Sequence, residues 1–141
     1  MTSGPITGDQ VVIDASAVVA LLTDGGADGR WVTRAVAGVA LSAPELAPFE
    51  AANVLRRNEL AGRLDSTLAV LAHRDLAALG IGLWPYSTLA DRAWELRHTT
   101  TVFDGSYVAL AELLDAPLVT LDERLARAPG PRCSIRTPRT G

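Results

Sequence analysis

The stretch Val11-Val12-Ile13-Asp14-Ala15-Ser16 decides the fold. Three apolar residues in a row suit a strand covered on both faces, the situation of a strand inside a parallel sheet with helices above and below it. Asp14 ends that run as a helix starts at Ala15, so its carboxylate stands at the carboxyl end of a strand. In open parallel sheets that rim is where ligands bind.

Working outward, the short apolar runs 39–41, 81–84, 117–121 and 133–137 read as four further strands. Residues 42–44 form the turn after the second. Helical patterns fill the gaps. The first helix runs from residue 15 into the Asp/Gly loop at 24–29, the second covers 27–37, and a long third covers 45–61, with a break at Gly62. A fourth runs from Asp65 or Ser66 to residue 79. Thr88 and Asp91 have the spacing of a capping box, which opens a fifth helix ending near His98. Asp104 precedes a sixth at 107–114, and a short seventh follows Asp122 to about residue 128. The alternation predicts an α/β fold, a three-layer α/β/α sandwich around a central, mostly parallel sheet of about five strands. Residues 1–9 are expected to be a flexible leader, 10–137 the folded domain and 138–141 a short tail.

Composition narrows the chemistry. At 141 residues, 48% hydrophobic, the chain suits one domain with a substantial core. Its apolar runs are too short to span a bilayer and no leader resembles a signal peptide, so no membrane partner and a cytoplasmic location are expected. One cysteine, Cys133, forms no internal disulfide, and with His73 and His98 it gives no zinc-binding spacing. There is no lysine, which excludes a P-loop and a phospho-receiver site. The side chains that most often act as nucleophile or base near neutral pH are scarce, and carboxylates remain.

Four carboxylates occupy places where a strand end or a helix can aim them at one crevice: Asp14, Glu50, Asp104 and Asp122. Clustered negative charges repel unless a cation sits among them. A hard divalent ion such as Mg²⁺ or Mn²⁺ takes carboxylate oxygens and water, and it activates that water against a phosphodiester. An aspartate at a helix start is also a common cap, and Asp9, Glu112, Asp115 and Glu123 lie near candidate rims as well. The net charge of −3 fits a nucleic-acid enzyme once the site is set apart, because removing four acids leaves −3 + 4 = +1. Every positive side chain is arginine, with Arg56, Arg57, Arg63, Arg124 and Arg127 near the acids in sequence. Glu50, Asn53 and Arg57 share one polar stripe of the third helix. Tyr107 and Trp84 read as core packing and not as base-stacking platforms.

VVIDAS, PFEAANVLRR, FDGSYVALAE and LVTLDERL, in this order and at these separations, resemble a PIN-domain ribonuclease of the VapC toxin type, the toxin half of a VapBC toxin–antitoxin pair. The resemblance spans residues 10–137. It implies a metal-dependent endoribonuclease whose acidic site falls on Asp14, Glu50, Asp104 and Asp122. Ser16 and Thr120 would neighbour the metal, and Asn53 and Arg57 would border the groove. It also implies an RNA substrate, Mg²⁺ or Mn²⁺, a homodimer, and a VapB-type antitoxin laid across the acidic groove. Gly105 departs from the alanine common after the third acid, and the leader is longer than usual. Two other readings use the same residues: a catalytically silent binding module, and a metal-dependent phosphatase or DNA nuclease.

Overall fold

The computed structural model describes residues 10–139, so the leader at 1–9, with Asp9, and the last two residues lie outside it. Five strands form one sheet: β1 (Gln10–Ile13), β2 (Ala40–Pro44), β3 (Gly82–Trp84), β4 (Leu118–Val119) and β5 (Ile135–Arg136). All four pairings are parallel and the spatial order is β3-β2-β1-β4-β5. The chain builds outward from β1 to β2 and β3 and then crosses back to lay β4 on the other side of β1. That reversal opens a crevice beyond the carboxyl ends of β1 and β4, the topological switch point of an open α/β sheet.

Seven α-helices are found among the described residues: α1 (Ala15–Thr23), α2 (Ala27–Ala35), α3 (Ala47–Leu60), α4 (Ser66–Ala78), α5 (Ala90–Glu95), α6 (Val102–Leu114) and α7 (Glu123–Arg127). The period-2 alternation of a strand sorts them into two layers. Val11 and Ile13 face a core shared with Val18 and Val19 of α1, Val32 of α2, Leu55 of α3 and Leu76 of α4. Val12 faces the opposite core, with Leu96 after α5, Val108 and Leu110 of α6, and Leu125 of α7. β1 is thus sealed on both sides, as its unbroken apolar run requires. The layered α/β sandwich and its five-stranded parallel sheet agree with the sequence.

Several boundaries differ, each for a local reason. β2 runs on through the expected turn at 42–44, because Ser42, Ala43 and Pro44 pair in register with Gly82, Leu83 and Trp84. Pro44 lies past the last β2 residue paired with β1, so it has only β3 beside it. The capping box does not form: Thr88 lies in a 3₁₀ turn and donates its hydroxyl to the Pro85 carbonyl at 2.8 Å, and Leu89 stands at the N-cap of α5. α5 stops at Glu95, short of His98. α6 starts at Val102, five residues before its expected start, because Thr101 caps it by accepting from the Asp104 amide at 3.0 Å. Trp84 packs against the second core, in line with the packing role read for it.

Candidate active site

Asp14 is fixed by the turn from β1 into α1. Its extended backbone ends the strand, and its side chain caps the helix by accepting from the Ala17 amide at 3.0 Å. Register places Ile13 opposite Val119, so the next residue on each strand, Asp14 and Thr120, meet at the sheet's rim. Ser16 donates its hydroxyl to Asp14 Oδ1 at 2.6 Å and Thr120 donates to Oδ2 through a short bond. Both hydroxyls are themselves oriented: Ser16 Oγ accepts from the Leu121 amide at 3.1 Å and Thr120 Oγ1 from the Asp122 amide at 3.0 Å. This knot ties the end of β1 to the segment leading from β4 into α7. It leaves Asp14 only 8% exposed.

Glu50 lies in the first turn of α3, half-buried, and accepts from the Tyr107 hydroxyl at 2.7 Å. Asp104 lies in the first turn of α6, also half-buried. Asp122 caps α7, accepting from the Arg124 amide at 2.9 Å and from Arg124 Nε at 3.4 Å. Four elements therefore deliver one acid each.

The acids feel one another. Burial pushes the Asp14 carboxyl up from its ordinary value, the bonds from Ser16, Thr120 and the Ala17 amide pull it down, and the charge of Asp104 pushes it up again. Burial also raises Glu50, opposed by the Tyr107 bond and reinforced by Asp104 and Asp14. Asp104 is raised by burial and then by Asp122, against Thr101 and Arg124. Asp104 thus couples to all three others. The four acids share one electrostatic neighbourhood, and together they disfavour their own ionisation unless a cation arrives.

Their fit to a metal follows from the donor set. Every donor is a hard oxygen, which suits Mg²⁺ or Mn²⁺ and not zinc. Among the described residues no three carboxyl, imidazole or thiol side chains close into a cage around one ion position. Mg²⁺ does not ask for a cage, since it gives up its waters reluctantly and is commonly held by one or two carboxylates. The arrangement fits an ion held directly by few acids and through water by the rest.

The remaining candidates have other partners or are exposed. Glu112 is clamped by Arg92, at 2.7 Å to Nε, and by the Arg132 amide. Asp115 caps the opposite end of α6 in a left-handed conformation, φ 51°. Glu123 accepts from Thr137 at 3.0 Å. Asn53 and Arg57 are exposed on α3, and Arg56, Arg63, Arg124 and Arg127 are exposed as well. Tyr107 is 2% exposed, and its link to Glu50 went unread in the sequence because nothing local pairs residues 57 positions apart. Gly105 lies against α5, where a Cβ would stand 3.2 Å from the Ala93 carbonyl oxygen. The nearest atom to such a Cβ is the Thr100 hydroxyl oxygen, at 3.1 Å, so an alanine there would require its neighbours to shift by a few tenths of an ångström.

Comparison with known proteins is consistent with this geometry. The sequence model of the PIN domain matches residues 11–131. Ribonuclease VapC1 of Mycobacterium tuberculosis is 39% identical over 129 residues, 91% of this chain and 97% of that protein. Ribonuclease VapC12 of the same organism is 35% identical over 125 residues, 89% of this chain and 96% of its relative. Among solved structures, PAE2754 from Pyrobaculum aerophilum superimposes with a TM-score of 0.66 at 23% identity, covering 98% of this chain and 89% of its own. M. tuberculosis VapC20, described as a sarcin-ricin loop cleaving toxin, gives 0.63 at 19% identity, covering 83% and 93%. These two likenesses speak for the fold.

Proposed function

The chain belongs to the PIN-domain family, among its VapC-type ribonucleases, and from that premise we propose that it is a toxin endoribonuclease that hydrolyses RNA phosphodiester bonds with the help of Mg²⁺ or Mn²⁺. The observation that supports the reading is the bonding that ties Asp14 through Thr120 to the Asp122 amide and Glu50 to Tyr107, one turn after Asp104, with Asp104 raising both Asp14 and Glu50 and Asp122 raising Asp104. A buried acid surrounded by other acids is a poor structural choice and a good cation site.

In this reading Asp14 and Asp104 would hold the ion directly, and Asp122 would assist through water or hold a second ion. When bound, the ion supplies charge neutralisation at the phosphate and makes a nearby water more acidic. Ser16, Thr120 and the Ala17 amide hold Asp14 in one orientation, leaving one lone pair, on Oδ2, for the site. Glu50 orients the attacking water and accepts its proton. The water oxygen bonds to phosphorus as the bond to the 3′ oxygen breaks, and that oxygen leaves with a proton from solvent. The products carry a 5′-phosphate and a 3′-hydroxyl. Asn53 and Arg57, exposed on the same helix as Glu50, border the RNA groove, where arginine pairs with phosphate as a planar fork.

The same reading assigns residues 10–137 as the catalytic unit, a cytoplasmic location, a homodimer and a VapB-type antitoxin. No helix among the described residues is long and apolar enough to cross a membrane. An arginine offered by the antitoxin would neutralise the acidic groove as the cation does.

The test is cleavage of structured RNA with Mg²⁺ or Mn²⁺ by the wild type and by Asp14→Asn. A loss of about 100-fold or more is expected in the variant, and chelation should stop the wild type. Equal cleavage by both proteins refutes the assignment. Preference for DNA or small phosphate esters over RNA at fixed metal refutes the substrate class.

A further inference from the structure

Tyr107 is a polar side chain in an apolar place. Its ring is 2% exposed and belongs to the core that includes Val12, Ala43, Ala47 and Leu89. Phenylalanine would fill that space equally well. The hydroxyl is the only part of the side chain that needs a partner, and it donates to Glu50 Oε1 at 2.7 Å. The bond links α6, one turn after Asp104, to the first turn of α3, so it spans two of the four elements that form the site.

We infer that Tyr107 is a positioning residue for the reaction: its buried hydroxyl holds the Glu50 carboxylate in the orientation that faces the attacking water. The inference rests on the catalytic reading of Glu50 given above. Two features support it beyond simple core satisfaction. The buried ring fixes the hydroxyl between α6 and α3, and burial, then Glu50 itself, push the phenol well above its ordinary value, so it stays a donor. Glutamate has three free torsions, and near Asp14 and Asp104 an unrestrained carboxylate would swing away from the like charges toward solvent. A fixed donor prevents that.

Tyr107→Phe keeps the ring and removes only the hydroxyl. With saturating Mn²⁺ it is expected to lower kcat for RNA by roughly 10- to 100-fold and to leave KM within about 2-fold, the pattern of a misplaced group and not of weakened binding. In a Glu50→Ala background the same change should have no further effect on kcat. A second cycle reads the bond without catalysis, through thermal midpoints of the metal-free wild type, Tyr107→Phe, Glu50→Ala and the double variant. The double variant should melt no lower than the lower of the singles. Additive losses in either cycle overturn the inference, and so does a Tyr107→Phe enzyme with wild-type kcat. If the wild type cuts no RNA at all, the ribonuclease reading fails, and the metal-free cycle still decides whether Tyr107 restrains Glu50.

Discussion

At the scale of single residues, the site runs against stability. Asp104 lies within the field of Asp14, Glu50 and Asp122, with only Thr101 and Arg124 in its favour. Replacing it by asparagine removes the repulsion and keeps the shape. Metal-free Asp104→Asn should therefore melt higher than the wild type at pH 7, by about 1–3 °C, the shift expected from a few tenths of a kcal/mol in a domain of this size after screening at a half-exposed group. The same variant should lose most of the stabilisation that Mn²⁺ gives the wild type. A lower metal-free midpoint, or an unchanged response to Mn²⁺, would show that Asp104 is held for structure and not for an ion. The exchange of stability for function is the usual mark of an active site.

At the scale of elements, the sequence was most legible where one residue type left a single option. Val11-Val12-Ile13 had to be a strand covered on both faces, and Asp14 had to follow it at the rim. The start of α6 was harder, because Thr101, Val102 and Gly105 are weak helix formers and the helix is stabilised instead by burial of every residue from 105 to 111. Thr88 and Asp91 matched a capping pattern, yet the Pro85 carbonyl captured the threonine hydroxyl first. The four acids were nominated by their placement and by resemblance, whereas Tyr107 required a tertiary contact. One close approach escapes any local pattern: a Cβ on Gly29 would stand 1.7 Å from the Asp24 carbonyl oxygen, where α2 folds back on the end of α1. Gly29→Ala must push those helices apart, costing about 1–3 kcal/mol and several degrees of thermal midpoint. Gly25→Ala, where a Cβ meets nothing within 4 Å, is the matched control and should shift stability by no more than about 0.5 kcal/mol. Equal effects at both positions would mean that the α1–α2 turn is not close-packed at Gly29.

At the scale of the whole molecule, proton and metal compete for the same carboxylates. Asp14, Glu50 and Asp104 all have raised folded values, first through burial. A raised acid holds its proton more tightly in the folded state, so its contribution is fully present below the unfolded value, near 4, and is lost as pH rises through the folded value. Glu112 has the opposite sign: burial pushes it up, but the bonds from Arg92 and the Arg132 amide outweigh that, so its contribution is lost only as pH falls below the ordinary glutamate range. The charges acting on the three raised acids are one another, Asp122 and Arg124, the hydrogen bonds pulling them down come from Ser16, Thr120, the Ala17 amide, Tyr107 and Thr101, and none of these reverses the sign. Metal-free protein should thus melt higher at about pH 5 than at about pH 7.5. Mn²⁺ binds the ionised carboxylates, so its stabilisation should grow over the same interval, reaching about 2.7 kcal/mol when the free ion is 100-fold above its Kd, and the order of the two midpoints should reverse. Calorimetric melts at the two pH values, with and without Mn²⁺, measure all four terms. A metal-free midpoint that rises from pH 5 to pH 7.5 would mean that the acids are already neutralised by the protein's own arginines, and the cation would then have no vacancy of charge to fill.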